Sequence, residues 1–211
     1  MYRINRLKRQ TDMKRTFTSL VLGVALLMGG SGAGFAQGWD AWVDADKRGD
    51  YATAFRELSL LAAQGNSVAQ FNLGVAYYEG KGVTQNYQEA VKWYQLSAAM
   101  GFAPAMHNLG WMYNKGLGVT QDYREALRLY RLAAEKGFAE AQRDMGAMYD
   151  MGKGVTQDYI YAHMWANIAA SNGSAGAAEN RDIVAGKMTA AQVARAQELA
   201  KQCVAKNYKG C

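Results

Sequence analysis

One eight-residue phrase recurs in this chain at a fixed step. Gly80-Lys81-Gly82-Val83-Thr84-Gln85-Asn86-Tyr87 returns as Gly116-Leu117-Gly118-Val119-Thr120-Gln121-Asp122-Tyr123, then as Gly152-Lys153-Gly154-Val155-Thr156-Gln157-Asp158-Tyr159, 36 residues on each time. A period of this size is the mark of stacked helix pairs, one pair per repeat. The register runs beyond the loop. Leu73, Leu109 and Met145 share one phase, as do Gly74, Gly110 and Gly146, and Tyr77, Tyr113 and Tyr149. Aligning 65–100 with 101–136 gives 17 identities in 36 positions, so the repeat is real.

The phrase also supplies the helix limits. Asn86, Asp122 and Asp158 are good N-caps, because their short side chains accept from backbone N–H groups of the first turn. Glu89 and Glu125 follow three residues later in a capping-box pattern. Gly101 and Gly137 stand where a helix end wants positive φ. Pro104 suits a first turn, where its missing N–H does no harm. Each unit thus reads as a helix A up to the Tyr-x-x-Gly and a helix B from the Asn/Asp-Tyr to the next Gly. Gly74, Gly110 and Gly146 fall inside helix A, where Gly costs about 1 kcal/mol against Ala. A cost repeated in phase implies close approach of A and B. Tyr94, Trp93, Tyr130 and Trp165 then fill the space between pairs.

The expected organisation has four parts. Residues 1–36 read as a secretory signal: Arg3, Arg6, Lys8, Arg9, Lys14 and Arg15, then the apolar run Leu20 to Met28, then small residues ending at Ala36. Met13 would itself open a normal signal, and an uncleaved anchor is the alternative. Residues 37–64 form a shorter helix pair, with a Trp39, Trp42, Val43 stripe and a Gly49-Asp50 turn. Three full units follow at 65–100, 101–136 and 137–172. Residues 173–211 cap the stack with a short helix over 174–183 and a last helix opened by Thr189 and Gln192. The expected location is periplasmic or secreted.

Without the leader, 24 − 6 = 18 bases and 18 − 1 = 17 acids remain, so the basic balance of the full chain is no sign of nucleic acid. Membrane contact is expected only through the leader. Cys203 and Cys211 are the only cysteines. Export places them where disulfides persist, and a bridge would tie the tail onto the last helix.

The pattern Ala105-x-x-x-Leu109-Gly110-x-x-Tyr113-x-x-Gly116-x-Gly118-Val119-x-x-Asp122-Tyr123-x-x-Ala126, with Trp93-Tyr94 and Ala133-Ala134-x-x-Gly137, resembles the Sel-one-like repeat, a relative of tetratricopeptide repeats. The likeness spans 65–172 fully and 38–64 loosely. It implies an all-α, right-handed α-solenoid of antiparallel helix pairs, whose concave face is lined by A helices and binds other proteins. Carried over from tetratricopeptide grooves, the exposed positions are Phe71, Val75 and Tyr78 in the first unit, His107, Trp111 and Asn114 in the second, and Arg143, Ala147 and Asp150 in the third. Asn72 and Asn108 resemble the asparagine that holds a bound peptide backbone, with Asp144 in their place in the third unit. Phe71 and Trp111 are the expected aromatic anchors. A helix phase shifted by one residue would instead turn both into the core.

Catalysis is not expected. No H-E-x-x-H, G-x-S-x-G or phosphate-loop pattern occurs. His163 shares the phase of Val91 and Leu127 and reads as a packing residue; Asp122 and Glu125 are explained as caps. No cofactor or metal is implied. The expected function is an exported scaffold or adaptor that holds a partner protein or peptide in its groove. The alternative is a cell-wall-associated hydrolase or a binder of peptidoglycan or exopolysaccharide.

Overall fold

The computed structural model describes residues 33–211. The leader expected over 1–36 lies outside the described residues, save for the backbone of 33–36, which forms the first turn of α1. Among the described residues there are ten α-helices and no strand: α1 (Ala33–Arg48), α2 (Tyr51–Ala63), α3 (Ser67–Glu79), α4 (Tyr87–Ala99), α5 (Ala103–Lys115), α6 (Tyr123–Ala134), α7 (Ala139–Met151), α8 (Tyr159–Ser171), α9 (Ala177–Ala185) and α10 (Ala190–Ala205). From α1 to α9 each helix packs against the next in the chain, and α10 returns onto α8. The fold is an all-helical repeat stack in which α3, α5 and α7 are A helices and α4, α6 and α8 are B helices.

The caps are where the residue types put them. The carboxamide or carboxylate of Asn86, Asp122 and Asp158 accepts two backbone N–H groups at each B-helix start. Pro104 lies in the first turn of α5. Thr189 and Gln192 close a full capping box on α10. Each A helix ends on a left-handed glycine, Gly80, Gly116 or Gly152. The loop that follows closes by the Asn86 N–H to the Tyr77 carbonyl at 2.9 Å, and by Asp122 to Tyr113 and Asp158 to Tyr149 at 3.0 Å.

The mid-helix glycines are demanded by contact. A side chain at Gly74 or Gly110 would drive its Cβ into the ring of Tyr94 or Tyr130, 2.7 and 2.9 Å away. At Gly146 the obstacle is the Ala162 carbonyl, at 3.0 Å. Tyr94, Tyr130 and Trp165 are accordingly among the most deeply buried side chains. The second glycine of each loop works between units. Gly82, Gly118 and Gly154 have φ near +70° and press against the backbone carbonyls of Tyr51, Tyr87 and Tyr123, at the start of the preceding B helix. Lys81 and Lys153 lie over the rings of Tyr51 and Tyr123 at 5.6 and 5.2 Å. Lys187, beyond α9, lies over Tyr159 at 5.3 Å, so the C-terminal cap copies the contact that a further repeat would make.

Cys203 and Cys211 are disulfide-bonded. The tail turns through Asn207 and Tyr208, both at positive φ, and the Tyr208 hydroxyl meets Asn172 at the end of α8. Asn172 donates in turn to Gln142 Oε1 at 2.8 Å, and Gln142 donates to the Ala134 carbonyl at 3.2 Å. The bridge therefore holds a tail that is hydrogen-bonded back to the third repeat.

Candidate functional site on the A-helix row

The A-helix face is split along its length. Positions 71, 75 and 78 lie at i, i+4 and i+7 on α3, and 107, 111 and 114 repeat this on α5. The N-terminal member of each trio is not a groove residue. Phe71 is 3% exposed, with its ring 5.8 Å from Tyr94 and 5.3 Å from Phe102. His107 is 7% exposed and packs on Tyr130 and Phe138 at 5.4 and 5.3 Å. The expectation that Phe71 and His107 face an open groove is corrected. The reason is that Phe102 and Phe138, which open the next A helix, close over this position from the following unit.

The third member of this phase, Arg143, meets Asp144 and donates to the Ala175 carbonyl at 3.3 Å. Asp144 also accepts from His107 Nε2, so the seam between the second and third units carries a His107–Asp144–Arg143 chain. A carboxylate only accepts, so Nε2 carries the hydrogen. Burial works to raise the Asp144 pKa, but Arg143 and His107 prevail and hold it at about 2. Asn72 does not project freely either: its Nδ2 donates to the Val68 carbonyl at 3.0 Å, one turn back. Asn108 stays beside the Tyr94 phenol.

The C-terminal halves of the A helices remain partly exposed. Tyr78 and Trp111 meet edge to face across the first and second units, with centroids 5.6 Å apart at 84°. Tyr87 adds a third ring 5.4 Å from Tyr78. Val75, Asn114 and Ala147 are partly exposed residues of the same helix row. Burial, helped by Tyr87 and Glu79, raises the Tyr78 pKa, so the phenol is neutral at ordinary pH. In the third unit Asp150 is held by Lys187 at 2.6 Å. Sequence reasoning passed over Tyr87, which its role as a helix opener concealed. It also passed over Gln85, Gln121 and Gln157, whose Nε2 groups donate to the carbonyls of Tyr78, Asn114 and Asp150 and fix the end of the row. Their repetition in phase was the available signal.

Among the described residues no group of three or more His, Cys, Asp or Glu is arranged to hold a metal. His163, the histidine a hydrolytic reading would require, is sealed at 2% exposure against α9. Burial lowers its pKa, and Arg181 lowers it further.

The family profile described as Sel1 repeat matches residues 67–102, 103–138 and 139–174, three consecutive copies covering half of the chain. This chain belongs to the Sel1 repeat family. The matched windows begin two residues later than the units read from the glycines, at the first turn of each A helix. A solved Sel1 repeat protein from Oxalobacter formigenes is 36% identical, with a TM-score of 0.55, over 60% of this chain and 96% of that one. A protective antigen of uropathogenic Escherichia coli strains, which displays an SLR fold, is 29% identical with a TM-score of 0.57. The match covers 74% of this chain but 42% of the antigen, so this Sel1 repeat chain spans less than half of that relative's length. No curated protein matches it in sequence. No helix among the described residues is long and apolar enough to cross a membrane.

Proposed function

We propose that this Sel1 repeat protein is an exported, non-catalytic scaffold that holds a partner protein or peptide on the C-terminal halves of its A helices. The observation that carries this reading is the Tyr78–Trp111 pair. Two large aromatic side chains from different repeats meet edge to face and stay partly exposed. A stack that needed them only for stability would bury them, as it buries Tyr94 and Tyr130. Partly exposed Tyr and Trp that need little further ordering are the usual anchors of protein interfaces. Export rests on the leader pattern of 1–36 and is in keeping with the disulfide.

The test is capture of partners from the producing cell by wild type and by the Tyr78→Ala, Trp111→Ala double variant. The expected result is loss of a specific partner while the thermal unfolding curve stays within a few degrees of wild type. An unchanged set of partners would overturn the reading.

A further inference from the structure

We infer that a small cavity between the B helices α6 and α8 and the C-terminal tail binds a small zwitterion of the amino-acid class. The cavity has a volume of about 210 Å³. Its walls are Arg131 and Glu135 from the end of α6, Trp165 of α8, and Tyr208, Gly210 and Cys211 of the tail. Pockets for drug-sized ligands run to roughly 300–1,000 Å³, so the occupant here is small. The A-helix row takes no part in it.

Three polar groups around this cavity lack partners. Trp165 is 1% exposed, and its indole N–H, cut off from bulk water, has no acceptor among the described residues. Such a donor costs free energy until something accepts from it. Arg131 and Glu135 stand one turn apart, the spacing at which a guanidinium and a carboxylate ordinarily pair. Yet neither takes part in an ion pair among the described residues. A water would satisfy the indole; a zwitterion satisfies the indole and both charges.

The two ends of the cavity differ in sign. Glu135 is the C-cap of α6, so its carboxylate stands at the negative end of the helix dipole. Both favour an ammonium there. Arg131, a turn earlier, and the Trp165 N–H only donate, and they favour a carboxylate. An anion alone would face Glu135, and a cation alone would face Arg131. The Tyr208 hydroxyl is already engaged with Asn172, so its ring serves as wall. The Cys203–Cys211 bridge ties that wall to α10.

The experiment titrates the isotopically labelled full chain with L-alanine. Propionate and ethylammonium, which each keep one of its two charges, serve as the other arms. The readout is the Trp165 indole N–H resonance, assigned through its own backbone. L-alanine is expected to shift it saturably and to bind at least about tenfold more tightly than either single-charge ligand. Arg131→Gln, at an exposed position, should weaken L-alanine by about tenfold. Glu135→Gln should bring L-alanine down to the level of propionate. A resonance that none of the three ligands moves would mean a cavity filled by water only, and would overturn the inference. Propionate or ethylammonium binding as tightly as L-alanine would overturn it too, as would undiminished L-alanine binding by both variants.

Discussion

His107 donates its Nε2 hydrogen to Asp144 Oδ2 across 2.9 Å, joining the second repeat to the third at a position where the first repeat has a phenylalanine. The two seams thus use different chemistry in one phase. Phe71 meets Phe102 ring to ring, whereas His107 meets both Phe138 and a carboxylate.

The first prediction concerns that carboxylate. Asp144 is held at about 2, below its ordinary 3.8. A depressed acid contributes stability that is present above the unfolded pKa and lost as pH falls through the folded one. A shift of this size corresponds to about 2 kcal/mol. Asp144→Asn should therefore lower the unfolding free energy by about that amount near neutral pH. Denaturant curves should show the gap to wild type constant down to about pH 4 and narrowing towards pH 2. A gap independent of pH would show that the charge is not the source.

His163 has the opposite proton bookkeeping to a paired base. Burial and Arg181 lower its folded pKa below the ordinary 6.5. The neutral form is the folded one, so its contribution is full above about 6.5 and lost as pH falls below that value. His163→Leu, the residue the second repeat carries in phase at Leu127, should flatten the stability slope between about pH 7 and 5. An identical slope in the variant would assign it to other groups.

The loop glycines couple the repeats. At Gly118 a side chain would meet positive φ and the Tyr87 carbonyl together. Gly118→Ala should cost more than about 2 kcal/mol and split unfolding into two steps, because neighbour coupling is what makes a repeat array cooperative. By contrast Gly38, in α1, has only Leu61 side-chain carbons nearby, at 3.4 Å, and Gly38→Ala should be neutral or stabilising by up to about 1 kcal/mol. Calorimetry of the two variants checks both.

Breaking the Cys203–Cys211 bridge should have a small effect for a disulfide. The cysteines are only 8 apart in sequence, so the closed loop is short and the loss should be about 2 kcal/mol. The matched Cys203→Ser, Cys211→Ser protein should melt a few degrees lower. Amide exchange should rise at Asn207 and Tyr208, whose N–H groups bond within the tail turn. Exchange confined to α1 and α2 would contradict the placement of the tail.

What the chain disclosed about itself follows from where repetition is informative. Caps, left-handed glycines, the A-to-B approach at Gly74, Gly110 and Gly146, and the buried Tyr94 and Tyr130 recur because every unit meets the same geometry there, so one sequence carries several readings of each constraint. The groove was less legible. Phe71, His107 and Arg143 differ from one another, and difference between units reads as surface freedom. In fact each is matched to a different partner across its own seam: Phe71 to Phe102, His107 to Phe138 and Asp144, and Arg143 to the Ala175 carbonyl, with the adjacent Asp144 pairing it on its own helix. Variation that is compensated by a neighbour 30 or so residues on is invisible without the fold. Trp111 and Tyr78 are partly exposed: the ring that reaches Tyr78 from the following unit, Trp111, meets it edge to face and leaves both partly open, whereas Phe102 and Phe138 close over Phe71 and His107.

The most direct measurement places a photo-crosslinking amino acid at Asn114, beside Trp111 on α5, and separately at Leu96, an exposed position on the B helix α4. Irradiation is carried out in the producing cell. The prediction is one dominant adduct from Asn114, none of comparable yield from Leu96, and loss of the Asn114 adduct when Tyr78 and Trp111 are both alanine in a protein that still melts as wild type does. An adduct that forms from Leu96 but not Asn114, or that persists without the two aromatic residues, would contradict the assignment of the A-helix row as the binding face.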